Sequence, residues 1–183
     1  AFAGVPPFQE TQNYVQAIIA LALQWAAVPG LIGAGAGAVP APGAGVQSTG
    51  NAIVDSAVSW TVAQAGSWYH FGGDCTDPFG TDIAHRCDCS SLMQQAYARA
   101  GVALPRTAAE QSRVGDPVAV GDIRPGDLVA TIGSDGTATE PGHIAMYIGN
   151  GWVVEAPFEG AQVHYFPVRG YSDIVAIRRI VTG

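Results

Sequence analysis

The run Asp88-Cys89-Ser90-Ser91-Leu92-Met93-Gln94-Gln95-Ala96-Tyr97-Ala98-Arg99-Ala100-Gly101 sets a cysteine where the chain enters a helix. Leu92, Ala96 and Ala100 recur at helical spacing and Gly101 is placed as a C-terminal cap, so a helix is expected to begin at Ser90 or next to it. A thiol at such a point has a physical consequence. Unpaired backbone N–H groups and the positive end of the helix dipole favour the thiolate, and the thiolate is the nucleophile.

On the N-terminal side of this run, residues 51–66 place Ile53, Val54, Ala57, Val58, Thr61 and Val62 at amphipathic spacing, with Asn51 as N-cap and Gly66 as stop. A loop rich in Gly, Asp and Pro then leads from Gly72 to Arg86. On the C-terminal side the pattern changes to short β-like runs at 127–133, 143–149, 152–157, 162–168 and 173–181, separated by turn signals such as Ser134-Asp135-Gly136 and Gly149-Asn150-Gly151. Helices first and strands afterwards predict an α+β fold, an antiparallel sheet with helices packed on one side.

The stretch before Asn51 is of another kind. Between Glu10 and Asp55 there is no charged residue. Residues 1–28 form an N-terminal segment that reads as one helix, stopped by Pro29-Gly30, and 29–50 read as a Gly/Ala/Pro-rich linker. The uninterrupted apolar run from Ala17 to Leu23 is too short for a membrane span of about 20 residues, so no stable membrane insertion is expected. A secretory signal is not expected here either, because Glu10 stands where a basic region belongs. Whether this helix docks on a partner, on the same chain or across a site is left open. The folded domain is expected over 51–183. Composition agrees with one domain: 183 residues, 48% hydrophobic and 13% charged, with 24 Gly and 12 Pro. A net charge of −7 leaves no basic footprint for nucleic acid.

A nucleophilic cysteine needs an imidazole. Of the four histidines, His143 opens a predicted strand directly after Pro141-Gly142, where its side chain can emerge at a sheet end. Catalysis and a hydrogen-bonded structural role are both open to it. His143, Ala145 and Tyr147 share one face of that strand. If the next hairpin turns on three residues, Ile148 pairs with Trp152, Ala145 with Glu155 and His143 with Pro157, which sets Glu155 on the face of His143, one diagonal step away. A two-residue Asn150-Gly151 turn would pair Met146 with Glu155 and put the carboxylate on the wrong face. A Cys89, His143, Glu155 triad therefore requires an odd-length loop or a bulge.

Taken in order, these residues resemble the NlpC-type cysteine peptidases, cell-wall endopeptidases with a papain-like core, and in particular their secreted actinobacterial members. The resemblance rests on Tyr69-His70-Phe71-Gly72-Gly73, Asp88-Cys89-Ser90, Leu104-Pro105-Arg106-Thr107-Ala108-Ala109-Glu110-Gln111, Arg124-Pro125-Gly126-Asp127-Leu128 and the run from Gly142 to Gly151. It implies Cys89 as nucleophile, His143 as general base and Glu155 as the third polar residue. It also implies Tyr69, Asp88 and Ser90 as substrate-binding or oxyanion residues, with the alternative that Tyr69 is a core aromatic. The implied activity is secreted hydrolysis of peptidoglycan stem peptides between γ-D-glutamate and diaminopimelate, with no metal or organic cofactor. A papain-like amidase or acyltransferase acting on another wall bond, and a silent peptidoglycan-binding module, are the rivals. The sequence departs from the family at Ser91, usually Gly, at Cys87, usually aromatic, and in the longer loop from Gly73 to Asp88.

If the protein is exported, Cys75 and Cys87 can close that loop as a disulfide, stabilising by about 3 kcal/mol, and Cys89 stays free. A Cys89–Cys75 bond that locks the enzyme, and a zinc site from Cys75, His85, Cys87 and Cys89, are the alternatives. His70, His85 and His164 read as ordinary loop or strand residues, with His85 and Asp82 near enough in sequence to line a groove.

Overall fold

The computed structural model describes residues 48–182. The expected N-terminal helix at 1–28, and all of the expected linker except Ser48, Thr49 and Gly50, lie outside these residues.

Helix α1 spans Ala52–Ala63, capped by the Asn51 side chain, which accepts from the N–H groups of Ile53 and Val54. Helix α2 spans Cys89–Arg99 with Asp88 as its cap, so it starts one residue before Ser90. A one-turn helix, α3, spans Ala108–Gln111 behind Thr107. The strands follow as β1 (Asp116–Pro117), β2 (Leu128–Thr131), β3 (His143–Gly149), β4 (Trp152–Glu155), β5 (His164–Pro167) and β6 (Ile174–Arg179). They form one six-stranded sheet in the order β1-β6-β2-β3-β4-β5, and each neighbouring pair is antiparallel. The α+β expectation holds.

Alternation in the strands divides the apolar residues into two layers. Leu128, Ala130, Ile144, Met146 and Val154 join Val54, Ala57 and Val58 of α1 and Leu92, Met93, Ala96 and Tyr97 of α2 in the main core. Val129, Ala145, Tyr147, Val153 and Ile177 form a second cluster, covered by Val118, Ile123, Phe166, Val168, Tyr171 and Ile174. The helices are held to one another and to the sheet by specific contacts besides burial. The Arg99 guanidinium lies 4.9 Å from the Trp60 ring centre, and the Tyr97 hydroxyl donates to the Gly126 carbonyl at 2.6 Å.

The β3–β4 hairpin corrects one detail of the expected register and keeps its consequence. Its tip is the two-residue turn: Gly149 pairs with Trp152, and Asn150 and Gly151 both have positive φ, 54° and 82°, as an Asn-Gly hairpin turn requires. Ile148 does not pair with Trp152, because a bulge between Tyr147 and Gly149 removes it from the ladder. The extra residue restores the expected alignment below, Tyr147 with Val153 and Met146 with Val154. Glu155 is thereby returned to the face of His143.

A disulfide joins Cys75 and Cys87, and Cys89 is a free, buried cysteine. The alternative Cys89–Cys75 pairing is thus not the one formed, and the zinc set has lost two of its four ligands. In thiol labelling of the native oxidised protein, Cys89 is the residue expected to carry label. Replacing both Cys75 and Cys87 by Ser is expected to lower unfolding stability by about 3 kcal/mol in chemical denaturation. Label on Cys75 or Cys87, or an unchanged midpoint, would contradict this pairing and its role.

Candidate active site

Cys89 occupies the first position of α2, and its neighbours fix that start. Oδ1 of Asp88 accepts the Ser91 N–H at 2.7 Å while Ser91 Oγ accepts the Asp88 N–H at 2.9 Å, a reciprocal cap. Ser91 is thus a working member of the cap. Arg106 forks onto the same carboxylate, Nη1 to Oδ1 at 3.0 Å and Nη2 to Oδ2 at 2.6 Å. It also donates to Ser90 Oγ at 2.9 Å and to the Gly73 carbonyl at 3.0 Å. The Gly72 N–H reaches Asp88 Oδ2 at 3.1 Å. Gly73 admits no side chain, since a Cβ there would lie 2.2 Å from the Arg86 carbonyl oxygen.

Asp88 and Ser90, expected as substrate-binding or oxyanion residues, both enter this cap. The Asp88 carboxylate is taken up by Arg106, Gly72, Ser90 and Ser91, and Ser90 Oγ donates back to it at 3.1 Å. Their polar atoms hold the helix start. The residue that completes this clamp, Arg106, was legible only as part of the Leu104–Gln111 block. Tyr69 is buried and bridged to Cys87. Burial first, then the charges of Cys89 and Asp88, push its phenol above the ordinary range.

From the sheet side, Nε2 of His143 meets Oε2 of Glu155 at 2.7 Å. The same ring interacts with Cys89, and with Nε2 engaged on Glu155 it is Nδ1 that is left for the sulfur. The thiol itself lies 3.8 Å from the carbonyl oxygen of Gly142, the residue before His143. Burial alone would depress the imidazole; the hydrogen bonds to Cys89 and Glu155, with their negative charge, outweigh it and hold His143 up at about 10. Burial likewise opposes ionisation of Glu155, yet hydrogen bonds from His143, His164 and Tyr171 bring it down to about 2. His143 thus lies on Glu155 and interacts with Cys89.

Two members of this cluster were not expected. His164, read as an ordinary strand residue, sits in β5 opposite Glu155 and brings Nε2 to 3.0 Å from Oε1. The Tyr171 hydroxyl donates to Oε2. The other named candidates are engaged elsewhere. His85 is turned to Asp74 at 3.0 Å and to Thr76, Asp82 caps the short turn Ile83–His85, and His70 pairs with Glu159 at 3.0 Å.

A cysteine at a helix start, packed against an antiparallel sheet that carries a histidine and a carboxylate, places the chain in the papain-like class of α+β folds. Within that class the chain belongs to the NlpC/P60 family, whose model matches residues 66–176. It is 34% identical over 137 residues to probable endopeptidase Rv2190c of Mycobacterium tuberculosis, an alignment covering 75% of this chain and 30% of that protein. It is 35% identical over 135 residues to a probable endopeptidase of Corynebacterium glutamicum, covering 71% of this chain and 56% of that one. The chain thus spans from under a third to just over half of the length of these relatives. Among solved structures, the P60 domain of M. avium paratuberculosis antigen MAP1272c superposes with a TM-score of 0.58 at 29% identity, covering 70% of this chain and 93% of that domain. RipD of M. tuberculosis, described as a non-catalytic NlpC/p60 domain protein, superposes with a TM-score of 0.58 at 28% identity, covering 72% of this chain and 99% of that one.

The paired shifts fix a pH dependence of stability. Glu155 lies below its ordinary 4.5 in the fold, so its contribution is present above about pH 4.5 and is lost as the pH falls towards 2. His143 lies above its ordinary 6.5, so its contribution is complete below about pH 6.5 and is lost as the pH rises towards 10. The stability difference between wild type and Glu155→Gln, from denaturation midpoints across pH, is therefore expected to be greatest between about 4.5 and 6.5. A difference that stays constant with pH would contradict the coupling.

Proposed function

We propose that this domain is a thiol endopeptidase that hydrolyses peptidoglycan stem peptides outside the cell membrane, at the bond between γ-D-glutamate and diaminopimelate. The observation that carries the reading is the placement of His143 between Cys89 and Glu155. Family membership and relatives named as endopeptidases support it. Among the described residues no helix is long and apolar enough to cross a membrane.

In this reading the Cys89 thiolate attacks the amide carbonyl, and the backbone N–H of Cys89 with the Tyr69 hydroxyl stabilises the oxyanion. His143, protonated at Nδ1, gives that proton to the departing amine, leaving a thioester on Cys89. Water then attacks the thioester while His143 takes a proton from it, and the carboxylate product leaves as the thiol is regenerated. Glu155 accepts from Nε2 throughout and so keeps Nδ1 directed at sulfur.

The similarity to RipD favours one second reading, a peptidoglycan-binding module without turnover. Cys89→Ala is expected to abolish release of cut muropeptides, and Glu155→Gln to lower kcat by about 100-fold. Mass spectrometry of the products should show a new amino terminus on diaminopimelate. Binding of muropeptides by wild type without cleavage would establish the second reading; undiminished turnover by Cys89→Ala would refute the first.

A further inference from the structure

His164 lies between two acceptors. Its Nε2 is 3.0 Å from Glu155 Oε1 and its Nδ1 is 3.0 Å from the backbone carbonyl oxygen of Gln162. A carbonyl has no proton to give, and Glu155 is ionised above about pH 2. A neutral imidazole carries a single N–H, so it would leave one ring lone pair facing an oxygen. Only the imidazolium donates to both.

We propose that His164 is a positioning residue: as an imidazolium it holds Oε1 of Glu155, leaves Oε2 to His143, and offsets the negative charge on which the His143 proton depends. Its side chain is 38% exposed, against 12% for His143, so it is open to exchange with solvent. The ionisable groups acting on it are Glu155 from β4 and His143 from β3, with Tyr171 bound to the same carboxylate. From its own strand the Phe166 ring, 6.4 Å away, contributes no charge. In order the groups run Cys89 sulfur, His143 imidazolium, Glu155 carboxylate, His164 imidazolium. A second cation on Glu155 weakens the hold of that carboxylate on the His143 proton. When His164 loses its own proton, one of its two contacts must go, and Glu155 then serves His143 alone.

The charge state is read directly by nitrogen NMR of the histidine rings in the full chain. Both ring nitrogens of His164 are expected to be protonated at pH 7, with a midpoint above the ordinary 6.5 that falls when Glu155 is replaced by Gln. A neutral His164 ring at pH 7 would overturn the inference, and this measurement needs no variant of His164 to fold. The kinetic consequence rests on the endopeptidase reading. On purified muropeptides the alkaline limb of the kcat/KM profile is expected about one pH unit higher in His164→Gln, which sets no charge on Glu155, than in His164→Arg, which keeps one at every pH. A merely structural role would lower kcat/KM at every pH without moving the limb, and that result counts against the proposal. If wild type cuts no muropeptide, the endopeptidase reading fails and the NMR result still decides the state of His164.

Discussion

The buried carboxylate of Asp88 stands where three separate pieces of chain converge: the start of α2, the Gly72-Gly73 turn and the segment carrying Arg106. Each supplies it with donors, through Ser90 and Ser91, the Gly72 N–H and the guanidinium fork. A carboxylate taken out of water needs that many partners. Deprived of the fork it would be an uncompensated buried charge, a defect of about 3 kcal/mol. Cys89 is the next residue, so the forces that satisfy Asp88 also fix the sulfur. The Cys75–Cys87 disulfide closes the loop that leads into the same point.

Glu155 has the corresponding part on the sheet side. It is buried at the end of β4, and its two oxygens are divided among His143, His164 and Tyr171. The two carboxylates belong to different halves of the α+β fold, one to the helix layer and one to the sheet. Thiol and imidazole are therefore oriented by independent sets of hydrogen bonds and meet where the halves join. What links the halves is ordinary packing of α1 and α2 on β2, β3 and β4.

Much of this was legible in the sequence because it depends on local chemistry. Asn51 caps a helix through its own side chain, and the helix that opens at the cysteine showed itself by its apolar spacing. The strands declared themselves by alternation. The register of Glu155 against His143 was legible as a condition only, an odd loop or a bulge, because Gly149-Asn150-Gly151 supports either turn length. The outcome is decided by burial on both faces of β3: Met146 belongs to one core and Tyr147 to the other, so a slip by one residue would exchange them. His164 was not legible, since its pairing with Glu155 depends on the path of the chain from Ala156 to Val163, which no periodicity describes. Tyr171 arrives from outside any strand. The cap formed by Asp88 and Ser90 was not legible for another reason: a polar residue beside a cysteine has the same composition whether it faces outward or caps the helix, and the cap depends on the position of Arg106.

The central claim is that Cys89 is the atom that takes the acyl group, with His143 and Glu155 arranged to serve it. Rapid mixing of the wild-type chain with purified muropeptide, acid quenching and mass analysis of the peptide containing Cys89 tests that claim most directly. The account predicts a transient mass increase on Cys89 equal to the glutamyl side of the stem peptide, appearing with the first equivalent of released amine and decaying as substrate is consumed. Cleaved product formed with Cys89 unmodified at every time, or an acyl group found on another residue, would contradict it.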